Sequence, residues 1–202
     1  MLGVTWLAWD HEHQSTRTAL HSQFDFALRD TVSQIEQRAT AYEQMLRGVQ
    51  ALFATTSLRD RDAVRHYVET LQLDANFSGI RVIGLIEQVP AAEKSTHIAN
   101  MRRLGVTDYR IHPEGDRVSY TPIIQRVPHL ADNHAPLGLD TWADPVRRLG
   151  LEKARDSGMA AITGKVRLAV DQAAEISPGF IMYLPIFSQG QAATVLLSAG
   201  HI

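Results

Sequence analysis

Nine histidines and no cysteine set the chemical limits of this chain. Without thiols there is no disulfide framework, no thiolate nucleophile and no thiolate metal site. His11 and His13 form the nearest approach to a metal pair, but on a helix residues i and i+2 do not face each other. His129, Asp132 and His134 share one loop and have ligand chemistry, yet no second ligand cluster accompanies them. Ser119, Ser177 and Ser188 lack the G-x-S-x-G setting that presents a nucleophilic hydroxyl. No G-x-G-x-x-G or G-x-x-x-x-G-K phosphate loop is present. These residues point to no active site, no metal and no cofactor.

Composition bounds the remaining classes. Apolar residues make up 45% of the 202 residues and charged residues 21%, the values of a globular chain. The length suits one large domain or two small ones. A formal net charge of -2 opposes nucleic-acid binding, which needs a basic surface to displace counterions.

The elements that would position a site begin with a helix. From Ser15 to Thr56 there is no proline, and Gly48 is the only glycine. Phe24, Leu28, Val32, Ile35, Ala39, Tyr42, Leu46, Val49 and Phe53 alternate spacings of four and three from Leu28 onward. That is the heptad seam of a helix packed on another helix. Roughly 40 residues at 1.5 Å each make a rod on the order of 60 Å, long enough to project as a dimerising stalk. Ahead of it, "MLGVTWLAW" is apolar with Trp6 and Trp9. It is too short to cross a bilayer alone, and reads either as a buried helical start or as the outer end of a transmembrane helix.

Beyond the stalk, "SLRDRDAVRHYVETLQL" predicts a second amphipathic helix with Ser57 as N-cap. "FSGIRVIGLIEQVP" reads as a strand, residues 91–104 as a helix stopped by Gly105, and "VTDYRIHPEGDRVSYTPIIQRV" as two strands turning at 113–116. In "DTWADPVRRLGLEKARDSGMAAITGKVRL", Asp144 caps a helix that starts with Pro145 and ends at Gly158. Val146, Leu149 and Ala154 are expected to form its buried side, with Arg147, Arg148, Lys153 and Arg155 solvated or salt-bridged. "MAAITGKVRLAV", "PGFIMYLPIFSQG" and "AATVLLSA" finish the chain as strands. Mixed strands and helices in one sheet describe an α+β body.

In order, "AYEQMLRGVQALFA", "FSGIRVIGLIEQVPAAE", "YRIHPEGDRVSYTPI", "GLDTWADPVRRLGLEKARDSGMAAITGKVRL" and "PGFIMYLPIF" resemble the CHASE domain, the extracytoplasmic sensing module of bacterial and plant receptors. The resemblance covers Phe24 to Phe187. It implies an α+β fold with a long N-terminal stalk helix followed by two PAS-like α/β subdomains. It divides the chain into residues 1–10 as the end of a truncated transmembrane helix, 11–56 as the stalk and 57–202 as the sensory body. It further implies a place outside the cytoplasmic membrane, anchored by flanking helices, and a homodimer through the stalk. The output would be a cytoplasmic histidine kinase or a nucleotide-second-messenger enzyme, with no catalysis by this segment.

A PAS-like arrangement implies a small-molecule pocket on the concave face of a sheet, lined by alternate side chains of its strands. The expected lining is Tyr120, Ile124, Ile162, Val166, Phe180, Met182 and Leu184, with Arg126, Asp140 and Thr163 as polar anchors. Plant cytokinin receptors, which this chain resembles, carry an aspartate where Val118 stands here. Valine accepts no hydrogen bond from an adenine edge, so a cytokinin-type ligand is not expected. Three functions stay open on the residues alone: a ligand sensor, a dimerisation or protein-partner module, and a small-molecule enzyme.

Overall fold

The proline-free N-terminal stretch forms α1 (Leu2–Thr55) in the computed structural model, which describes residues 2–55, 61–77, 79–127, 137–167, 178–188 and 191–200. Ser57, His129, Asp132, His134 and Ser177 lie outside the described residues. The chain separates into two units, Met1–Ala41 and Tyr42–Ile202. Within the first, Leu28, Val32 and Ile35 are exposed. Within the second, Tyr42, Met45, Leu46 and Val49 are buried. Among the described residues no helix is long and apolar enough to cross a membrane.

After α1 come α2 (Arg61–Thr70), α3 (Leu73–Asn76), β1 (Ile80–Ile86) and β2 (Val89–Pro90). A 3-10 turn (Ala91–Glu93) leads into α4 (Lys94–Arg103), followed by β3 (Ser119–Tyr120) and β4 (Ile123–Val127). A second 3-10 turn (Thr141–Ala143) precedes α5 (Pro145–Ser157). Then β5 (Ala161–Ile162), β6 (Val166–Arg167), β7 (Pro178–Ser188) and β8 (Gln191–Gly200) complete the fold. The main sheet runs β4-β1-β8-β7-β5 with β6 also on β7, and every pairing is antiparallel. β2 and β3 form a separate two-stranded sheet. This is a mixed α+β architecture with a long N-terminal helix.

Pleating sends alternate residues to opposite faces of the main sheet. On one face Val82, Ile86, Ile123, Ala161, Val166, Ile181 and Tyr183 pack with Leu151 and Ala154 of α5. On the other, Ile83, Leu85, Met182 and Leu184 are buried. There the Gln50 amide donates to Pro185 O and the Gln125 amide to Arg61 O, placing α1 and α2 at this side. A smaller core forms where α4 meets the two-stranded sheet: Val89, Met101, Tyr109, Ile111 and Tyr120.

Two expectations from the sequence are corrected. Residues 106–111 are not a strand. Val106 N donates to Met101 O and Tyr109 N to Val106 O, and at His112 the chain turns to residues 138–140, with His112 N donating to Gly138 O and Asp140 N to His112 O. Gly138, at φ 94°, permits this approach, because a Cβ there would collide with the Arg110 carbonyl.

The buried side of α5 also differs. Asp144 caps Val146 N and Arg147 N, Pro145 occupies the first turn and Gly158 closes the helix at φ 67°. The buried residues, however, are Arg147, Gly150, Leu151 and Ala154, while Leu149 is 69% exposed. The reason is close packing at Gly150. A Cβ there would stand 2.7 Å from Thr163 Cγ2 and 3.2 Å from the Tyr183 ring, so the helix turns its glycine to the sheet and its leucine outward.

Candidate functional site

Strand register decides which of the expected lining residues share a surface. Ile162 pairs with Met182, whereas Val166 pairs with Gly179. Four residues along one strand therefore match three along the other, an extra residue of the kind that makes a bulge. The bulge reverses the alternation. Ile162 shares the face of Met182 and Leu184, and Phe180 is also on that side, two residues along the strand. Val166 joins Tyr183 on the α5 face. Ile162 itself is 45% exposed on the edge strand, so it does not point into an enclosed space.

Thr163 sits in that bulge and repairs it. Its hydroxyl accepts from Ile181 N at 3.0 Å and donates to Gly164 O at 2.7 Å, while its own N–H reaches Ile181 O at 2.9 Å. Those bonds replace ladder bonds that the extra residue interrupts. The Thr163 hydroxyl is thus committed to the fold.

Tyr120 and Ile124 belong to the smaller core around α4. The Tyr120 hydroxyl donates to Gly115 O at 2.9 Å, and the Lys94 ammonium lies 4.4 Å from its ring centre. Asp140, fully buried, is a junction between this core and the second 3-10 turn. Its Oδ1 accepts from Thr121 N at 2.8 Å and Trp142 N at 3.2 Å, and its Oδ2 pairs with Arg117 Nη1 at 3.2 Å. Val118 is 92% exposed and lines nothing.

Arg126 is the expected anchor that lands in a different setting. Cross-strand pairing places it in one row with Gly84, Leu197, Tyr183 and Ala161. Residues directly opposite each other point to the same face, here the α5 face. Gly84 contributes no side chain beside Arg126. Burial pushes the Arg126 guanidinium down to about 10, and the neighbouring charge of Arg147 pushes it further the same way. Arg147 is buried in the first turn of α5. Both guanidiniums have further interactions within the chain.

Tyr183 completes the group. Its ring packs at Gly150, and its hydroxyl is buried with no hydrogen-bond partner among the described residues. Burial holds the phenol well above its ordinary value; Arg147 opposes that shift and Asp144 adds to it. The face thus carries two guanidiniums, each with interactions of its own, and a buried O–H with no acceptor among the described residues. It contains no nucleophile–base pair.

The sequence pattern assigns no role to Tyr183 and expects Arg147 to be solvated or salt-bridged. A signal for each was present. Tyr183 is the one polar-tipped residue in "GFIMYLP", and buried tyrosine hydroxyls ordinarily find a partner. Arg147 places a cation in the first helical turn, against the helix dipole.

A family model described as the CHASE domain matches residues 58–198, well over half of the chain. No curated protein matches it. The α+β body with a long N-terminal helix and the matched span agree, and the chain belongs to the CHASE domain family of extracytoplasmic sensory modules of receptors.

Proposed function

We propose that this chain is the ligand-sensing part of a membrane receptor, binding a small molecule on the α5 face of its main sheet. The observation that carries this reading is the buried Tyr183 hydroxyl with no partner among the described residues, since native folds rarely leave such a group unpaired. The two cores, one under α5 and one around α4, are read as the two PAS-like subdomains. A bound molecule acts by favouring one arrangement of the body over another. That preference passes along α1 to a cytoplasmic histidine kinase or a cyclic-nucleotide or diguanylate enzyme. The segment lies in the periplasm or extracellular space and catalyses nothing itself.

A second reading, self-association, is favoured by the exposed apolar residues Phe24, Leu28, Val32 and Ile35. They supply the seam for a homodimer through α1, and the two readings are compatible. Thermal melts against a metabolite library test the first. A hit should raise the melting temperature, remain unconverted, and lose its effect in Tyr183→Trp, which fills the face. A hit unaffected by that substitution places the ligand elsewhere, and turnover of a hit supports an enzyme instead.

A further inference from the structure

The stretch "DANFS", residues 74–78, has no part in the ligand reading. Asn76, Asn100 and Asn133 are the three asparagines of the chain, and only Asn76 has Ser or Thr two places on with no proline between. That Asn-x-Ser pattern is the acceptor signal for N-glycosylation, a modification of surface loops outside the cytoplasm. Asp74 stands two places before Asn76. One class of transferase reads Asn-x-Ser/Thr alone, while another also needs an acidic residue at that place, and this stretch satisfies both. Asp and Glu fill 22 of the 202 positions, so chance alone seldom puts one there. We propose that Asn76 is N-glycosylated, its amide receiving a sugar chain from a lipid-pyrophosphate-linked oligosaccharide. The extracytoplasmic place of the family is the side of the membrane on which that transfer occurs.

The local structure suits an acceptor. α3 is a single turn, Leu73–Asn76, and Asn76 is its last residue. Gln72 before it has φ 49° and Gly79 after it φ 96°. Leu73 is buried and fixes the turn to the body, whereas Ala75 and Asn76 are exposed. Only three backbone bonds close the turn: Ala75 N and Asn76 N donate to Gln72 O, and Phe77 N donates to Leu73 O. An exposed turn with so few bonds opens locally at small cost, as it must for a transferase to take the segment in extended form. Ser78 enters through its identity alone, since it lies outside the described residues.

The chemistry is a substitution at the first sugar. Asn76 Nδ2 forms a bond to the sugar C1 while the bond from C1 to the lipid pyrophosphate breaks. The pyrophosphate leaves with the bonding pair, and one amide proton passes through the transferase to solvent. Nothing is oxidised or reduced. Asn76 Nδ2 donates to Leu71 O at 2.9 Å, and a side-chain amide carries two hydrogens. One is replaced by the sugar and the other keeps that bond, so the turn can close again on the modified residue.

The test is mass spectrometry of the protein purified from the membranes of the cells that make it. Trypsin releases Asn76 within the peptide 66–81, bounded by Arg65 and Arg81. That peptide should carry an added saccharide mass located on Asn76. Asn76→Gln, expressed in the same cells, should lose it while keeping the melting temperature within about 2 °C. Ser78→Ala should lose it as well, and Ser78→Thr should retain it.

Recovery of the peptide at its unmodified mass alone overturns the proposal. So does a saccharide on Asn76 that survives Ser78→Ala, because the acceptor signal is then not what is read. Loss of the sugar in Asp74→Ala assigns the transfer to the class that needs the acidic residue. Its retention there keeps the modification and overturns the part given to Asp74. No outcome depends on a ligand, so failure here leaves the proposed function standing.

Discussion

Two stretches of α1 carry one apolar repeat and have opposite surroundings. Phe24, in the first unit, is 66% exposed, and Leu28, Val32 and Ile35 after it are exposed too. Leu46 and Val49, in the second unit, are wholly buried. From Leu28 onward the alternation of four and three is unbroken. A heptad pattern therefore dictates that a helix has an apolar seam, and leaves open whether the chain itself covers it. α5 repeats the lesson over two residues, with Leu149 exposed and Leu151 only 1% exposed.

The sharpest way to break this comparison is truncation of the covered members. Leu46→Ala and Leu151→Ala should each cost about 2–5 kcal/mol of folding stability in urea melts, the range for large-to-small changes in a packed core. Leu149→Ala should change it by less than about 0.5 kcal/mol. Equal losses at Leu149 and Leu151 would mean that something covers the outer face of α5.

Smaller effects follow. Asp144→Ala removes the cap that holds Val146 N and Arg147 N and should cost about 1 kcal/mol. Asp144→Asn should retain most of that stability, which separates capping from charge.

Ile35→Glu should leave folding stability within about 0.5 kcal/mol and weaken self-association in sedimentation equilibrium, because a charge enters the seam. An unmutated protein that stays monomeric at high concentration removes the dimer from the proposed function. Smallest of all is the Glu43–Arg47 pair at 2.6 Å. Partly exposed and four residues apart, it should be worth about 0.3–0.5 kcal/mol at low salt, vanishing at high salt in Glu43→Gln.

The sequence by itself determined what is local. The proline-free run from Ser15 specified α1 from that residue to its end at Thr55, and the Asp144–Pro145 start and Gly158 stop specified α5, because caps and backbone freedom depend on near neighbours. The apolar runs "GFIMYLPIF" and "AATVLLSA" specified β7 and β8. The ordered motifs specified the family, since it is a matter of residues and their order.

Only the tertiary structure decided which residues meet. One extra residue between Ile162 and Val166 sent them to opposite faces, and period-2 reasoning has no means to register a bulge before the partner strand is known. Gly150 set the rotation of α5 through its approach to Thr163 and Tyr183, which no helical wheel contains. The approach of Tyr183, on β7, to Gly150 of α5 likewise joins two separate elements. Such neighbourhoods arise through long-range register and close packing, quantities that belong to pairs of segments and that neither segment encodes alone.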